Sequence, residues 1–378
     1  MLTRRQTILA ITALIGGTSA YTVGDYQNAA NRYKEVVRNT WRHTTENPPT
    51  DSFAKNRELV RYATLAASSH NTQCWKFRIE DRQISVLPDL TRECPAVDPD
   101  RHHLYVSLGC ATENLIQAAS AFGRHGDVSF DSAIADVVKV NLEPTKEFKS
   151  PLFEAIPKRQ CTRAEYDGKK LSNEDLKSLV TVGKGNGVSV LLITETKKVE
   201  KILEYVVQAN TTQMNDRAFV DELEFWIRFG YDEAVSQGDG LFTGSSGNLV
   251  VPRWLGTKMF NLFFSAKNEN DKYAKQIRSS AGIAVFVSDR NDKEHWIETG
   301  RCYERFALQA TALGIKNAFL NQPVEVSALR PQFASYLGIG VGGASPLENR
   351  RPDLVVRFGY GLETPRSLRR SLDQVIII

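Results

Sequence analysis

Three groups of polar residues in this sequence have the types and spacing to hold a ligand. The first is Ala67-Ser68-Ser69-His70-Asn71-Thr72-Gln73-Cys74-Trp75, where a helical pattern ends and a strand pattern begins. Primary amides both donate and accept hydrogen bonds, so Asn71 and Gln73 suit a heteroaromatic rim that carries both kinds of group. The isoalloxazine ring of a flavin, with its O2 and O4 acceptors beside an N3–H donor, is such a rim. The same residues also suit an Asx-rich turn that satisfies its own backbone. The other two groups are arginine clusters, Arg159-Gln160-Cys161-Thr162-Arg163 and Arg366-Ser367-Leu368-Arg369-Arg370. Guanidinium forks bind a phosphate monoester through charge-assisted hydrogen bonds. Solvated surface arginine is the commoner fate of such clusters.

Other chemistries lack their residues. Gly338-Ile339-Gly340-Val341-Gly342-Gly343 fits G-x-G-x-x-G, but a helical pattern precedes it and Pro346 follows closely. A dinucleotide site needs a strand before and a helix after, so this is a decoy. No H-E-x-x-H, G-x-S-x-G or Walker lysine motif occurs. The five cysteines form no C-x-x-C pair, and an odd count leaves at least one thiol free. Neither a disulfide framework nor a metal site is expected. With 48 basic and 44 acidic residues the net charge is +4, too small an excess to argue for nucleic acid. The 378 residues imply two to three domains, and a composition 42% hydrophobic and 24% charged excludes disorder and a multi-span membrane protein.

The first 24 residues read as an export signal or anchor. Thr3-Arg4-Arg5-Gln6-Thr7-Ile8 precedes an uncharged stretch, Ile8 to Ala20, of about 13 residues, against the roughly 20 that a spanning helix needs. The paired arginines resemble a twin-arginine signal, although Thr7 stands where that signal usually has Phe. An uncleaved anchor helix is the alternative. Residues 25–50 are polar, end in Asn47-Pro48-Pro49-Thr50 and read as a linker.

The elements that must position the three polar groups follow from periodicity. Asn56–Ala67 reads as a helix, and Trp75–Ile79 with Gln83–Leu87 as a hairpin. Ser107–Phe122 reads as a small-residue helix ended by Gly123. Val137–Leu142, Val188–Thr194, Ile283–Ser288 and Leu354–Phe358 read as strands. Ser172 and Asp175 have capping-box-like spacing at the start of a helix. Lys197–Gln208, Phe219–Val235 and Trp296–Leu313 read as helices. Gly238–Val251 reads as a surface loop or lid, and the closing Val375-Ile376-Ile377-Ile378 as a strand that joins a sheet. Gly109–Gly123 and Gly300–Gly314 share length and pattern, aligning Glu113 with Glu304 and Ala119 with Ala310. The echo implies two related halves, or chance likeness between two Ala-rich helices.

These motifs together resemble the nitroreductase superfamily. Ser68-Ser69-His70-Asn71-Thr72-Gln73-Cys74-Trp75 is similar to its P-S-x-x-N-x-Q-P-W pattern, with Ala67 and Cys74 in place of the prolines. His70, Thr72 and the segment Val97-Asp98-Pro99-Asp100-Arg101 are most similar to the Acg-type FMN-binding branch. Arg159-x-Cys161-x-Arg163 resembles an R-x-S-x-[RK] phosphate motif, with Cys161 in place of Ser. Asn321-Gln322-Pro323-Val324-Glu325 resembles the segment that passes the flavin ring. Arg369-Arg370-Ser371-Leu372-Asp373-Gln374-Val375 resembles the closing R-x-P-L-E-E-V motif.

The resemblance implies an α+β, nitroreductase-like fold of mixed sheets flanked by helices. Each motif occurs once, which implies two fused halves, 51–148 and 149–378, forming a pseudo-dimer with one site. It implies FMN, with Ser68, Asn71 and Gln73 at the ring rim and Asn321 and Gln322 beside the ring. Arg159, Cys161, Arg163 and Arg369, or Arg370 in its stead, would hold the phosphate. No residue is a covalent catalyst, because the flavin carries the chemistry. The implied activity is two-electron transfer to a quinone-like or nitroaromatic acceptor, with NAD(P)H or a quinol as donor. The alternative is a protein that sequesters FMN beneath a lid with little turnover. The expected location is periplasmic, or tethered to the outer side of the inner membrane.

Overall fold

The computed structural model of the chain describes residues 23–44, 51–132, 136–339 and 350–377. The residues of the export segment up to 22, and most of the G-x-G-x-x-G stretch, lie outside them. The helices are α1 (Val23–Thr40), α2 (Ser52–Thr64), α3 (His102–Ala121), α4 (Pro151–Ala155), α5 (Asn173–Gly183), α6 (Thr196–Met214) and α7 (Arg217–Trp226). They continue with α8 (Tyr231–Gln237), α9 (Arg253–Phe263), α10 (Ala266–Arg278), α11 (Lys293–Ala312), α12 (Gln322–Glu325), α13 (Arg330–Tyr336) and α14 (Leu372–Val375).

The fold is α+β, built on two main sheets. The first runs β11-β1-β2-β4-β3, from β1 (Trp75–Ile79), β2 (Gln83–Pro88), β3 (Arg124–Asp131), β4 (Val137–Pro144) and β11 (Ile376–Ile377). It is mixed: β1 pairs antiparallel with β2 and parallel with β11, through Phe77–Ile376 and Arg78–Ile377. The closing apolar run therefore joins a sheet as expected, and it carries the chain end back onto the first sheet. The second sheet runs β5-β8-β10-β9, from β5 (Val188–Ile193), β8 (Gly282–Ser288), β9 (Lys316–Phe319) and β10 (Arg351–Gly359). It is antiparallel throughout rather than mixed.

Every residue of β8 and β10 is buried, because both faces of this sheet are covered. One face, with Phe286 and Val356, packs into the core that holds α3 and α11. The other, with Val285, Val287 and Val355, packs on Ile202, Val206 and Ile277 of α6 and α10. A strand buried on both faces reads as an unbroken apolar run, which is why these strands are plain in the sequence.

Helices α3 and α11 cross through reciprocal glycines. A Cβ on Gly109 would lie 1.9 Å from the Ile297 carbonyl oxygen, and one on Gly300 would lie 1.9 Å from the Val106 carbonyl oxygen. Each helix is followed by a positive-φ glycine just past its C-cap, Gly123 at 71° and Gly314 at 75°. The two helices noticed for their likeness are thus the pair that crosses at the centre.

Two expected elements need correction. Most of the segment read as a linker, 25–50, is helix α1, seated on α8 through Tyr33, Tyr231 and Phe242 with ring centroids 4.8–5.7 Å apart. The helix read over Phe219–Val235 breaks at β6 (Ile227–Arg228), which pairs parallel with β7 (Leu241–Phe242). The buried Arg228 guanidinium binds Asp239 at 2.7 and 2.9 Å and fixes that break. The loop expected at Gly238–Val251 consequently has a buried beginning, with Phe242, Thr243 and Ser245 inside.

Candidate functional site

Two adjoining hollows lie between the sheets and helices. The larger has a volume of about 660 Å³ and the smaller about 60 Å³. Ala67, Ser68, Arg163, Leu241 and Phe319 line both, so the two open onto each other.

The 68–73 turn forms part of the wall. His70, Asn71 and Gln73 all have positive φ, between 46° and 53°. Three such non-glycine residues in four positions are a costly local backbone, kept only where the surroundings fix it. Ser68 Oγ accepts from the Gln73 N–H at 3.1 Å, and the Ser69 N–H donates to Ser107 Oγ at 3.2 Å. Asn71 Nδ2 donates to the carbonyls of Gly240 (3.0 Å) and Leu368 (3.2 Å). Gln73 Nε2 donates to the Gly238 carbonyl at 2.9 Å, and its Oε1 accepts from the Arg370 N–H at 2.8 Å.

The two amides expected at a ring rim thus have partners within the chain. Both are buried and spent within the chain, clasping the 238–240 and 368–370 segments to the turn. Asn71 still borders the small hollow, whereas Gln73 borders neither. Ser68 borders both and keeps its hydroxyl proton to donate.

The arginine clusters converge on the small hollow, although they are some 200 residues apart. Arg159, Cys161, Arg163, Arg366 and Arg369 line it. Arg369 donates to the carbonyls of Thr64 (2.6 Å), Leu65 (3.1 Å) and Ala66 (3.0 Å), which end α2, and to Asn71 Oδ1 (2.9 Å). A cation there complements the carbonyl end of the helix. Arg159 is buried, with Nε 2.9 Å from Glu304 Oε1 and Nη2 donating to the Leu65 carbonyl at 2.9 Å. Arg366 donates to the carbonyls of Pro157, Lys158 and Arg159, and both Arg366 and Arg369 lie against the Trp41 ring, at 4.8 and 4.6 Å.

Arg163 differs from these. Among the described residues its guanidinium has no hydrogen bond and no ion pair, and it stands where the hollows meet. Arg370 borders neither hollow and is engaged with Gln73, Asp89 and Gln374.

Charge in the small hollow is unbalanced. Four guanidinium groups line it, and Glu304 is the carboxylate paired with them. Burial, reinforced by Arg159, holds Arg369 well below the ordinary arginine value. An uncompensated buried cation is expensive, and an anion would relieve it.

The larger hollow is mainly apolar, with Phe229, Met259, Phe260 and Phe264 on one side. Its polar corner holds His70, His103, Gln213, Gln322 and Glu325. His70 Nδ1, His103 Nε2 and Gln322 Oε1 are buried without hydrogen-bond partners. Burial, then Arg163 and His103, push His70 down to about 4, so its ring is neutral at pH 7. Burial raises the Glu325 carboxyl even though His103 opposes this, and Gln213 Nε2 donates to Glu325 Oε2 at 2.7 Å. Asn321 lines this hollow, but its Oδ1 accepts from the Val355 N–H at 3.0 Å, so the side chain is fixed to β10.

The sequence reading missed His103, Gln213 and the aromatic wall of α9. It also missed the close group of Asp98, His102 and His103. There Asp98 accepts from the N–H groups of His103 (3.0 Å) and Leu104 (2.9 Å), and His102 Nε2 lies 3.0 Å from Asp353. The carboxylate's visible role is to hold the start of α3.

No protein-family model matches this chain. It is similar to the "Putative NAD(P)H nitroreductase MT3217" of Mycobacterium tuberculosis strain CDC 1551. The two are 21% identical over 330 residues, covering 85% of this chain and 90% of the relative. The corresponding protein of strain H37Rv, Rv3131, gives the same figures. Among solved structures, a nitroreductase with bound FMN from Desulfitobacterium hafniense is 12% identical, with 61% of this chain and 100% of that chain covered and a TM-score of 0.39. The FMN-dependent nitroreductase NfnB of Mycobacterium smegmatis, in complex with NADPH, is 14% identical, with 60% and 97% covered and a TM-score of 0.38. Over most of its length, then, this chain is similar to mycobacterial proteins that carry the nitroreductase name.

Proposed function

We propose that this chain is an FMN-dependent oxidoreductase of nitroreductase type, with one FMN per chain. It passes two electrons to a quinone-like or nitroaromatic acceptor, and takes them from NAD(P)H or a quinol. The observation that carries this reading is Arg163, a cation without an ion pair among the described residues, between a cationic hollow and an apolar one. A ligand with a phosphate tail and a flat aromatic head has that distribution of chemistry. The unpartnered Gln322 Oε1 and His70 Nδ1 offer acceptors toward the head.

Bound FMN would supply the redox chemistry at N5. The chain's own residues bind and orient. Arg163 takes the phosphate directly, within the field of Arg159, Arg366 and Arg369. Ser68, where the hollows meet, donates its hydroxyl proton. The aromatic wall of α9 excludes water and receives the acceptor. Neutral His70 accepts rather than donates, so the buried Glu325 carboxyl is the group placed to hand on a proton.

The reciprocal Gly109 and Gly300 contacts support reading the chain as a fused pseudo-dimer. Residues 1–24 support export by a twin-arginine-type route and a periplasmic or membrane-anchored address. A second reading, FMN sequestration with little turnover, is favoured by the three amide hydrogen bonds that lock the 238–240 segment and the Leu368 carbonyl to the turn.

The visible absorbance spectrum of the purified chain tests the flavin. A yellow protein with one FMN per chain is expected, and a colourless protein that takes up no added FMN refutes both readings. Anaerobic addition of NADPH, NADH and a quinol then separates them. Prompt bleaching with any donor marks the enzyme, and none marks sequestration.

A further inference from the structure

Helix α9, at the mouth of the larger hollow, carries both buried and exposed apolar residues. Leu255, Gly256 and Phe260 are buried, with Gly256 against the Phe229 ring. Trp254 near its start, and Leu262 and Phe263 at its end, one heptad beyond Leu255 and Gly256, are 44%, 77% and 63% exposed. Phe225 and Leu249 add further exposed apolar surface, and Arg253 ties the end of α7 to α9 through the carbonyls of Glu224 (3.4 Å) and Ile227 (3.0 Å). Large exposed apolar side chains gathered along one short helix and its neighbours mark an interaction surface.

Two of these residues, Leu249 and Phe263, also line the hollow. Being both exposed and lining, they form its rim, so whatever covers this patch also covers the entrance. Lys258 reaches over the Trp254 ring at 5.6 Å and has no ion pair among the described residues. Lys267 is likewise exposed and without an ion pair among them. Aromatic and aliphatic side chains beside free lysines suit an interface of acyl chains and anionic headgroups.

The direction of the chain identifies the occupant. Tyr26, in the first turn of α1, packs with Val251, Leu255 and Met259 at the base of α9. The start of α1 thus lies beside this patch, and in the sequence the uncharged stretch of residues 8–20 ends two residues before the helix begins. An apolar stretch so close in sequence to an exposed apolar patch suits one apolar surface for both. No helix among the described residues is long and apolar enough to cross a membrane, so α9 lies on a bilayer rather than through it.

We propose that α9 docks on a phospholipid bilayer, with Trp254, Leu262 and Phe263 in the interface and the larger hollow opening onto the lipid. An acceptor soluble in the bilayer, such as a quinone, would then enter without crossing water. The docking rests on the anchored form of the reading above, but not on its flavin.

Trp254 is a built-in probe, since Trp75, Trp226 and Trp296 are buried and Trp41 is partly buried beneath the Arg366 and Arg369 guanidiniums, so that the signal is read as the difference between parent and Trp254→Phe. The full chain is mixed with vesicles of phosphatidylglycerol and brominated phosphatidylcholine, and tryptophan emission is read alongside sedimentation. Quenching that Trp254→Phe abolishes is expected. The double variant Leu262→Ser/Phe263→Ser should lose the quenching while its N-terminal stretch keeps the chain on the vesicles. Sedimentation without quenching of Trp254 overturns the proposal, as does undiminished quenching in the double variant. A lipid-free dimer that the same double variant dissolves would assign the patch to a second copy and overturn it too. Bound FMN, read from visible absorbance in the same samples, scores the flavin reading separately.

Discussion

Arg163→Ala separates ligand binding from stability at this site. The Arg163 guanidinium makes no hydrogen bond or ion pair among the described residues, and the bond its carbonyl accepts from Gln276 survives substitution, so its removal should change folding stability by no more than about 0.5 kcal/mol, as for an ordinary surface substitution. The loss should fall on FMN. One charge-assisted hydrogen bond to phosphate is worth ~1.5–3 kcal/mol, which weakens binding roughly 10- to 150-fold. Arg369→Ala is the contrasting perturbation. It strips partners from the Thr64 and Ala66 carbonyls and from Asn71 Oδ1, while the Leu65 carbonyl keeps Arg159. Each orphaned buried acceptor costs ~1–3 kcal/mol, and relief of a buried uncompensated charge returns part of that. A net loss of about 2–4 kcal/mol in stability is expected, with weaker FMN binding beside it. Quenching of flavin fluorescence on titration gives the binding constants, and thermal melts of FMN-free protein give the stabilities. Arg163→Ala protein that melts normally and binds FMN as tightly as the parent would refute the assignment of the small hollow to phosphate.

Four further substitutions probe the scaffold. Glu304→Gln leaves the buried Arg159 guanidinium without its counter-charge and should cost ~3–5 kcal/mol, and an unchanged melting temperature would show that the pair is not coupled to folding. His70→Asn, a residue that tolerates the positive φ of 46°, tests the depressed histidine. With a folded value of about 4 against an ordinary 6.5, His70 contributes stability that is complete above pH 6.5 and lost as the pH falls through about 4. The variant should flatten the stability–pH curve in that window by up to ~3 kcal/mol, less where the ring edge meets the cavity, and parallel curves for variant and parent would contradict this. Gly109→Ala and Gly300→Ala should each cost about 3 kcal/mol or more and by similar amounts, because each Cβ meets a carbonyl oxygen at 1.9 Å. A mild effect at one and a severe effect at the other, by denaturant titration, would break the reciprocity.

Local chemistry was legible in the sequence and tertiary pairing was not. The hairpin and the strands β8 and β10 follow from period and apolar runs, and the ends of α3 and α11 from Gly123 and Gly314. Helix α1 read as a linker because its buried positions are few, Ala29, Ala30 and Tyr33 among polar neighbours. The break at Ile227–Arg228 depends on a buried pair with Asp239, eleven residues away, and periodicity carries no trace of that partner. His103 and Glu325 meet in one corner although 222 residues separate them. The motif 68–73 was recognisable as unusual, but the partners of its amides are the backbone carbonyls of Gly238, Gly240 and Leu368, which have no sequence signature.

That outcome changes which residues distinguish a ligand site from a well-packed turn. Asn71 and Gln73 were attractive because amides can read a ring edge, yet neutral amides are also the easiest groups for a protein to satisfy internally. Arginines in a buried hollow are not. Each can give its hydrogen bonds to carbonyls, as Arg366 and Arg369 do, but carbonyls do not cancel charge. Glu304 pairs with one guanidinium of the four, and burial first, then the charge of Arg159, holds Arg369 below the ordinary arginine value. Folding therefore holds positive charge partly away from water at a cost in stability, which among the described residues carboxylates offset only in part, Glu304 at Arg159 and Glu363 toward Arg366. A dianion in the small hollow would offset it, and Arg163, free and at the junction with the apolar hollow, fixes where the rest of such a ligand must go.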